Sequence, residues 1–124
     1  MTVAISPEKM AIYKRSARAR ETANQQAQQQ RRERAWVLAR QAAHLLKTEF
    51  GAKRVVVFGS LAHGAWFSAR SDIDLMAEGI APQIFWRAWC ALDQLARDFD
   101  IELVASEEAA PQLREVIARE GVEL

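Results

Sequence analysis

The stretch Val55–Glu78, VVVFGSLAHGAWFSARSDIDLMAE, constrains the fold more than any other part of this chain. Val55, Val56, Val57 and Phe58 are β-branched or aromatic, the composition of a buried strand. The strand stops at Gly59-Ser60, where a glycine lets the backbone approach a bound group. The spacing predicts a short helix next, its free N–H groups and positive dipole end aimed over the turn, which makes a place for phosphate. A second strand follows, carrying Asp72 and Asp74. Two apart in a strand, these share one face, and Ile73 and Leu75 take the other, the core face.

One end of this unit suits phosphates and the other suits hard cations. A nucleoside triphosphate carries about four negative charges, and like charges at ~4 Å repel strongly away from bulk water. Two Mg²⁺ ions supply about four positive charges and bridge carboxylates to phosphates. The pattern therefore asks for a two-metal nucleotidyl-transfer site. The bland alternative is a polar turn followed by an edge strand with two solvated aspartates.

These residues also carry a resemblance. Gly59-Ser60-Leu61-Ala62-His63-Gly64, followed by Ser71-Asp72-Ile73-Asp74-Leu75, resembles the signature of the minimal nucleotidyltransferases of the DNA polymerase β-like superfamily. The likeness runs from Arg54 to the C-terminus and leaves residues 1–34 outside it. It departs from the family at His63, where many relatives carry arginine. It implies that Asp72 and Asp74 hold two Mg²⁺ ions and that Gly59, Ser60, Gly64 and Ser71 form the nucleotide- and phosphate-binding side. It implies a third carboxylate in an apolar–acid–apolar–apolar strand. Ile101-Glu102-Leu103-Val104 matches that frame, so Glu102 is preferred over Asp100 as third catalytic and metal-binding residue. Relatives have aspartate there, so Glu102 is a second departure.

At 124 residues the chain is one domain of ordinary globular composition. Its net charge of +1 conceals an asymmetry: residues 1–54 hold 12 Lys/Arg against 4 Asp/Glu, and residues 55–124 hold 5 against 12. The acidic half contains the proposed metal site. The basic half suits a negative partner or packs on the acidic half. A single cysteine, Cys90, excludes an internal disulfide framework, and its apolar neighbours predict a buried, inert thiol. No apolar run reaches the length of a membrane span, and a cytoplasmic location is expected.

Along the chain, Ser6-Pro7-Glu8 is a helix start. Met10, Tyr13 and Ala17 form a weak apolar stripe flanked by Lys14, Arg15, Arg18 and Arg20. The run Asn24–Gln30 has nothing to bury. The preferred reading is a helix over 7–22, a connecting segment over 24–30 and a firmer helix from 31 to 49; one long helix is the alternative. The basic residues suit a solvated face, a protein partner or, without any supporting motif, nucleic acid. Trp36, Leu38, Ala39, Ala42, Leu45, Leu46 and Phe50 form a core face, with His44 beside it and Gly51 as cap. Trp66 and Phe67 suit either base stacking or packing of the short helix on the sheet, and Ser71 orients the aspartate turn. Arg70 suits either phosphate contact or an exposed loop. Phe85, Ala88, Trp89, Leu92, Leu95, Ala96 and Phe99 predict an amphipathic helix reaching Phe99. Trp86 lies off that stripe, facing either a partner or the N-terminal helix. A third strand spans 100–105. A last helix spans 106–120 with Leu113, Val116 and Ile117 inward, and a strand-like tail follows.

The expected fold is α/β: a small mixed sheet of three to four strands backed by helices, with an N-terminal basic helical extension (1–34) before a minimal nucleotidyltransferase domain (35–124). The expected activity is Mg²⁺-dependent transfer of a nucleoside monophosphate, AMP from ATP, to a hydroxyl. The acceptor is expected to come from outside the chain or from its own N-terminal helices, and the resemblance implies an antitoxin acting on a tyrosine of a HEPN-type toxin partner. The alternative is a weak or inactive module that binds a partner protein.

Overall fold

The computed structural model describes residues 5–64, 67–68 and 70–124. The elements run α1 (Pro7–Glu49), β1 (Arg54–Phe58), α2 (Ser60–His63), β2 (Ile73–Glu78), α3 (Phe85–Leu95), β3 (Ile101–Ala105), α4 (Pro111–Glu120) and β4 (Val122–Glu123). The four strands form one mixed sheet in the order β3-β2-β1-β4. β1 pairs antiparallel with β2 and with β4, and β2 pairs parallel with β3.

Strand alternation divides the core into two layers. Val55 and Val57 of β1, Ile73, Leu75 and Ala77 of β2, and Ile101 and Leu103 of β3 pack with the buried residues of α1 and α3. On the opposite face Val56 and Met76 pack with Ile117 of α4, and Phe58 and Leu113 are partly buried against them. Residues Ala35, Leu38, Ala39, Ala42, Ala43 and Leu46 bury the C-terminal half of α1. Four of those six are alanines, whose small side chains let a helix lie close on a sheet.

α1 is a single helix of 43 residues, the alternative reading and not the preferred broken one. Loss of an apolar face at Asn24–Gln30 does not end it, because that segment has no Gly or Pro and after Asn24 is built of glutamine and alanine, which propagate a helix well. Ser6 caps its start, accepting a hydrogen bond from the Lys9 N–H at 3.2 Å, and Pro7 occupies the first turn. Its end is closed by Gly51 at φ +74°, after which the Ala52 N–H bonds back to the Leu46 carbonyl at 3.0 Å. No described residue before Ala35 is buried, so the first half of the helix extends into solvent, a reach of roughly 40 Å at ~1.5 Å per residue.

Three helix expectations change. α3 stops at Leu95, and Ala96 is extended, which turns the chain so that both Ala96 and Phe99 still reach the core. Within α3 only Ala88 and Leu92 are fully buried; Cys90 lies about 200° around the helix from Ala88 and is exposed, and Trp89 is 44% exposed. The last helix begins at Pro111, after a short 3₁₀ turn over Ser106–Glu108. Proline supports a first helical turn but breaks an interior one. In α4 Ile117 points inward, Leu113 is half-buried and Val116 is exposed. Trp86 is 60% exposed and is not covered by α1.

Candidate active site

The site lies at the rim of the sheet where β1 ends and β2 and β3 begin. β1 delivers Phe58 opposite Asp74, and the chain turns at Gly59. That residue has φ +73° and ψ −150°, a conformation reserved in practice for glycine. A Cβ on Gly59 would collide with the carboxylate of Asp74. The glycine-serine turn therefore sits directly against the acidic strand. α2 is only one turn, closed by Gly64 at φ +80° whose N–H bonds to the Ser60 carbonyl at 2.9 Å. So short a helix brings only a weak dipole to the turn, less than a full helix following the strand would supply, because few peptide units contribute.

Asp74 is the residue around which the charges gather. Parallel pairing places it beside Glu102 of β3, and alternation puts both on the α4 face, away from the main core. Asp74 is half-buried, whereas Glu102 and Asp72 are exposed. Burial, then the negative charges of Glu102 and Asp72, then a shared hydrogen bond with Glu102, raise the Asp74 pKa from 3.8 to about 6. Asp72 stands just before β2 and not in it, and Asp100 just before β3; the Ile73 N–H bonds to the Asp100 carbonyl at 2.9 Å, joining the two strand starts. The register thus pairs Asp74 with Glu102 and leaves Asp100 outside the ladder.

The loop before β2 is tied by Ser71, whose Oγ accepts a hydrogen bond from the Ser68 N–H at 2.8 Å. This is the local orienting contact expected from sequence. Phe67 stacks on Phe99, ring centroids 6.1 Å apart, and packs against the core, which favours packing over base stacking for that residue. Trp66 lies outside the described residues. His63 is in the last turn of α2 and exposed, and His44 is exposed on α1.

Sequence reasoning missed the contribution of α1. Arg31 places its guanidinium 4.0 Å from the Phe99 ring centroid and donates from Nε to the Ser68 carbonyl at 3.4 Å. Arg34 pairs with Asp98 at 3.4 Å. Arg31, Arg70, Ser71, Asp72, Arg97 and Asp100 line a polar cleft of about 210 Å³ at the same rim. The signal for this was the basic run Arg31-Arg32-Glu33-Arg34 directly before the first core residues. A larger, apolar pocket of about 490 Å³ beside Trp86 lies at the other end of β2 and β3, away from the carboxylates.

Among the described residues no set of three or more His, Cys, Asp or Glu side chains converges as a preformed metal cage. The donor chemistry nonetheless fits Mg²⁺. That ion needs oxygen ligands and takes only one or two protein carboxylates alongside water and substrate phosphates. Two neighbouring carboxylates, one of them half-buried, supply that set, and a cation would offset what raises the Asp74 pKa, burial first and the neighbouring negative charges second.

The nucleotidyltransferase domain family matches residues 39–118, a span holding the turn, both aspartates and Glu102. The chain belongs to that family. Solved structures agree with this nucleotidyltransferase fold. A minimal nucleotidyltransferase is 31% identical over 80% of this chain and 94% of its own, with a TM-score of 0.50. A toxin–antitoxin crystal structure with AMP-PNP is 24% identical over 65% of this chain and 67% of its own, with a TM-score of 0.55. The toxin–antitoxin MntA-HepT structure is 20% identical over 71% of this chain and 69% of its own, with a TM-score of 0.54. No curated protein matches the chain. Arg31 and Arg32 fall outside the span matched by the family. No helix among the described residues is long and apolar enough to cross a membrane.

Proposed function

We propose that this nucleotidyltransferase domain transfers AMP from ATP to a hydroxyl of a partner protein, a tyrosine of a HEPN-type toxin, and so acts as a cytoplasmic antitoxin. The observation that carries the reading is the contact of the Gly59 turn with Asp74, itself paired to Glu102: a backbone suited to phosphate abuts a repelling carboxylate pair. The likeness in fold to chains of toxin–antitoxin complexes, one with AMP-PNP, supports the nucleotide and the partner.

In this reading Gly59, Ser60, Gly64 and Ser71 form the phosphate side, and Asp72, Asp74 and Glu102 would hold two Mg²⁺ ions. When bound, the ions neutralise the polyphosphate and polarise the α-phosphate. Glu102, exposed at the rim, takes the proton from the acceptor hydroxyl. The hydroxyl oxygen bonds to the α-phosphorus as its bond to the β-phosphate oxygen breaks, and pyrophosphate leaves. Residues 35–124 form the minimal nucleotidyltransferase domain, and residues 1–34 are a basic helical extension that packs its last turn against it.

The test is transfer of label from α-labelled ATP with Mg²⁺ to the product of the neighbouring gene, the expected toxin. Label on the toxin that disappears with Asp72→Asn supports the reading. Absence of label with wild-type protein argues against it. One observation favours a second reading, a weak or inactive binding module: no group of three described acids converges. That reading requires toxin binding and neutralisation undiminished by Asp72→Asn with Asp74→Asn, and no release of pyrophosphate.

A further inference from the structure

Helix α1 brings two adjacent arginines to the site rim in different states. Arg31 is committed: its guanidinium covers the Phe99 ring and its Nε bonds to the Ser68 carbonyl. Arg32, one residue and about 100° further round the helix, reaches the closing glycine of the glycine-serine motif. A Cβ built on Gly64 would stand 2.7 Å from Arg32 Nη2 and 3.2 Å from its Cζ. The guanidinium thus lies against bare backbone at the end of α2. Arg32 is exposed, and among the described residues it makes no hydrogen bond or ion pair with the protein.

The motif itself needs a cation. Residues Gly59–Gly64 contain no lysine or arginine, and their only ionisable side chain is His63. The neighbouring acids, Asp72, Asp74 and Glu102, put negative charge beside the turn. A triphosphate held there by backbone alone would meet that field with no permanent positive charge on the motif to balance it. A guanidinium is always charged and presents a planar fork of donors matched to phosphate oxygens.

We propose that Arg32 is a phosphate-binding residue of this site, supplied by the helix that precedes the family domain and laid over Gly64 to contact the polyphosphate of a nucleoside triphosphate. Gly64 is glycine for two reasons on this account: its positive φ, and the room its missing side chain leaves for the arginine. The inference rests on the reading of the Gly59–Gly64 turn as a phosphate site.

The experiment is equilibrium binding of a fluorescent ATP analogue with Mg²⁺ to the full chain, competed with ATP, AMP and adenosine. The variants are Arg32→Gln, Arg32→Lys and Arg31→Gln. Arg32→Gln is expected to weaken ATP about tenfold or more while adenosine competes as before, because only the charged phosphates lose a partner. Arg32→Lys recovers part of the affinity, and thermal melting of both Arg32 variants matches wild type. Arg31→Gln, in contrast, lowers the melting temperature through its lost contact with Phe99. ATP binding by Arg32→Gln equal to wild type overturns the inference alone. Equal weakening of ATP and adenosine also overturns it, since that marks a distorted pocket. Failure of the wild-type chain to bind any nucleotide overturns both the inference and the phosphate reading beneath it.

Discussion

Asp74 and Glu102 face each other across the parallel β2–β3 pair, and the closeness of the two acids is what makes the rim chemically distinctive. A parallel ladder places neighbouring strands about 4.8 Å apart, and the pairing puts a half-buried carboxyl beside a second one. The Asp74 pKa rises to about 6 as a result, from burial first and the Glu102 charge second.

That shift has a signed consequence for stability. The folded pKa lies above the unfolded value, so the folded state holds the Asp74 proton more tightly. The stabilisation is fully present below pH 3.8 and is lost as pH rises through about 6. Above that range the ionised pair costs stability. Asp74→Asn should therefore raise the melting temperature at pH 7.5, with the gain disappearing towards pH 4. Millimolar Mg²⁺ should raise the wild-type melting temperature at pH 7.5 and leave Asp74→Asn nearly unchanged. Differential scanning fluorimetry across pH, with and without the ion, reads both.

Gly59→Ala tests the contact between turn and strand. The new methyl group meets the Asp74 carboxylate, and the backbone must hold φ +73° with a side chain. A loss of about 1–3 kcal/mol in urea unfolding is expected from backbone strain of this kind. Gly51→Ala is the control: it shares a positive φ but has nothing within 4 Å of the new Cβ. It should cost less, the difference combining the Asp74 clash with the harsher backbone conformation of Gly59.

For transfer itself, Asp72→Asn and Asp74→Asn should each reduce label incorporation at least 100-fold. Glu102→Asp retracts the carboxylate by one methylene and should change rate while leaving nucleotide affinity close to wild type. A Glu102→Gln variant with wild-type rate would remove Glu102 from the proton-transfer role. Asp100→Asn should have the smaller effect, because Asp100 is not in the ladder that holds Asp74.

Removing residues 1–30 should leave the domain folded. No described residue in that segment is buried, and the first buried side chain among the described residues is Ala35. Thermal unfolding of the shortened chain should lie within a few degrees of the full one. Extending the deletion through residue 34 removes Arg31 with its Phe99 contact and Arg34 with its Asp98 pair, and the melting temperature should then fall further. Circular dichroism with a thermal ramp distinguishes the two deletions.

The sequence by itself determined the elements whose signals are local. Val55–Phe58, the Gly59 turn, the alternation from Ile73 and the stripe over Leu38–Leu46 each follow from periodicity and backbone freedom within a few residues. So did the acids, since strand alternation places Asp74 and Glu102 on a common face once the strands are known. The tertiary structure decided what depends on distance along the chain. It fixed the strand register that opposes Asp74 to Glu102 and not to Asp100. It showed Cys90 and Trp89 facing outward, because α3 buries a narrower stripe than its apolar content suggests. It carried α1 unbroken through Asn24–Gln30, where propensity outweighs the missing apolar face. It also brought Arg31 and Arg32 to a loop more than thirty residues away. Local pattern encodes which face a side chain takes; only packing of α1 across the sheet sets which distant backbone that side chain meets.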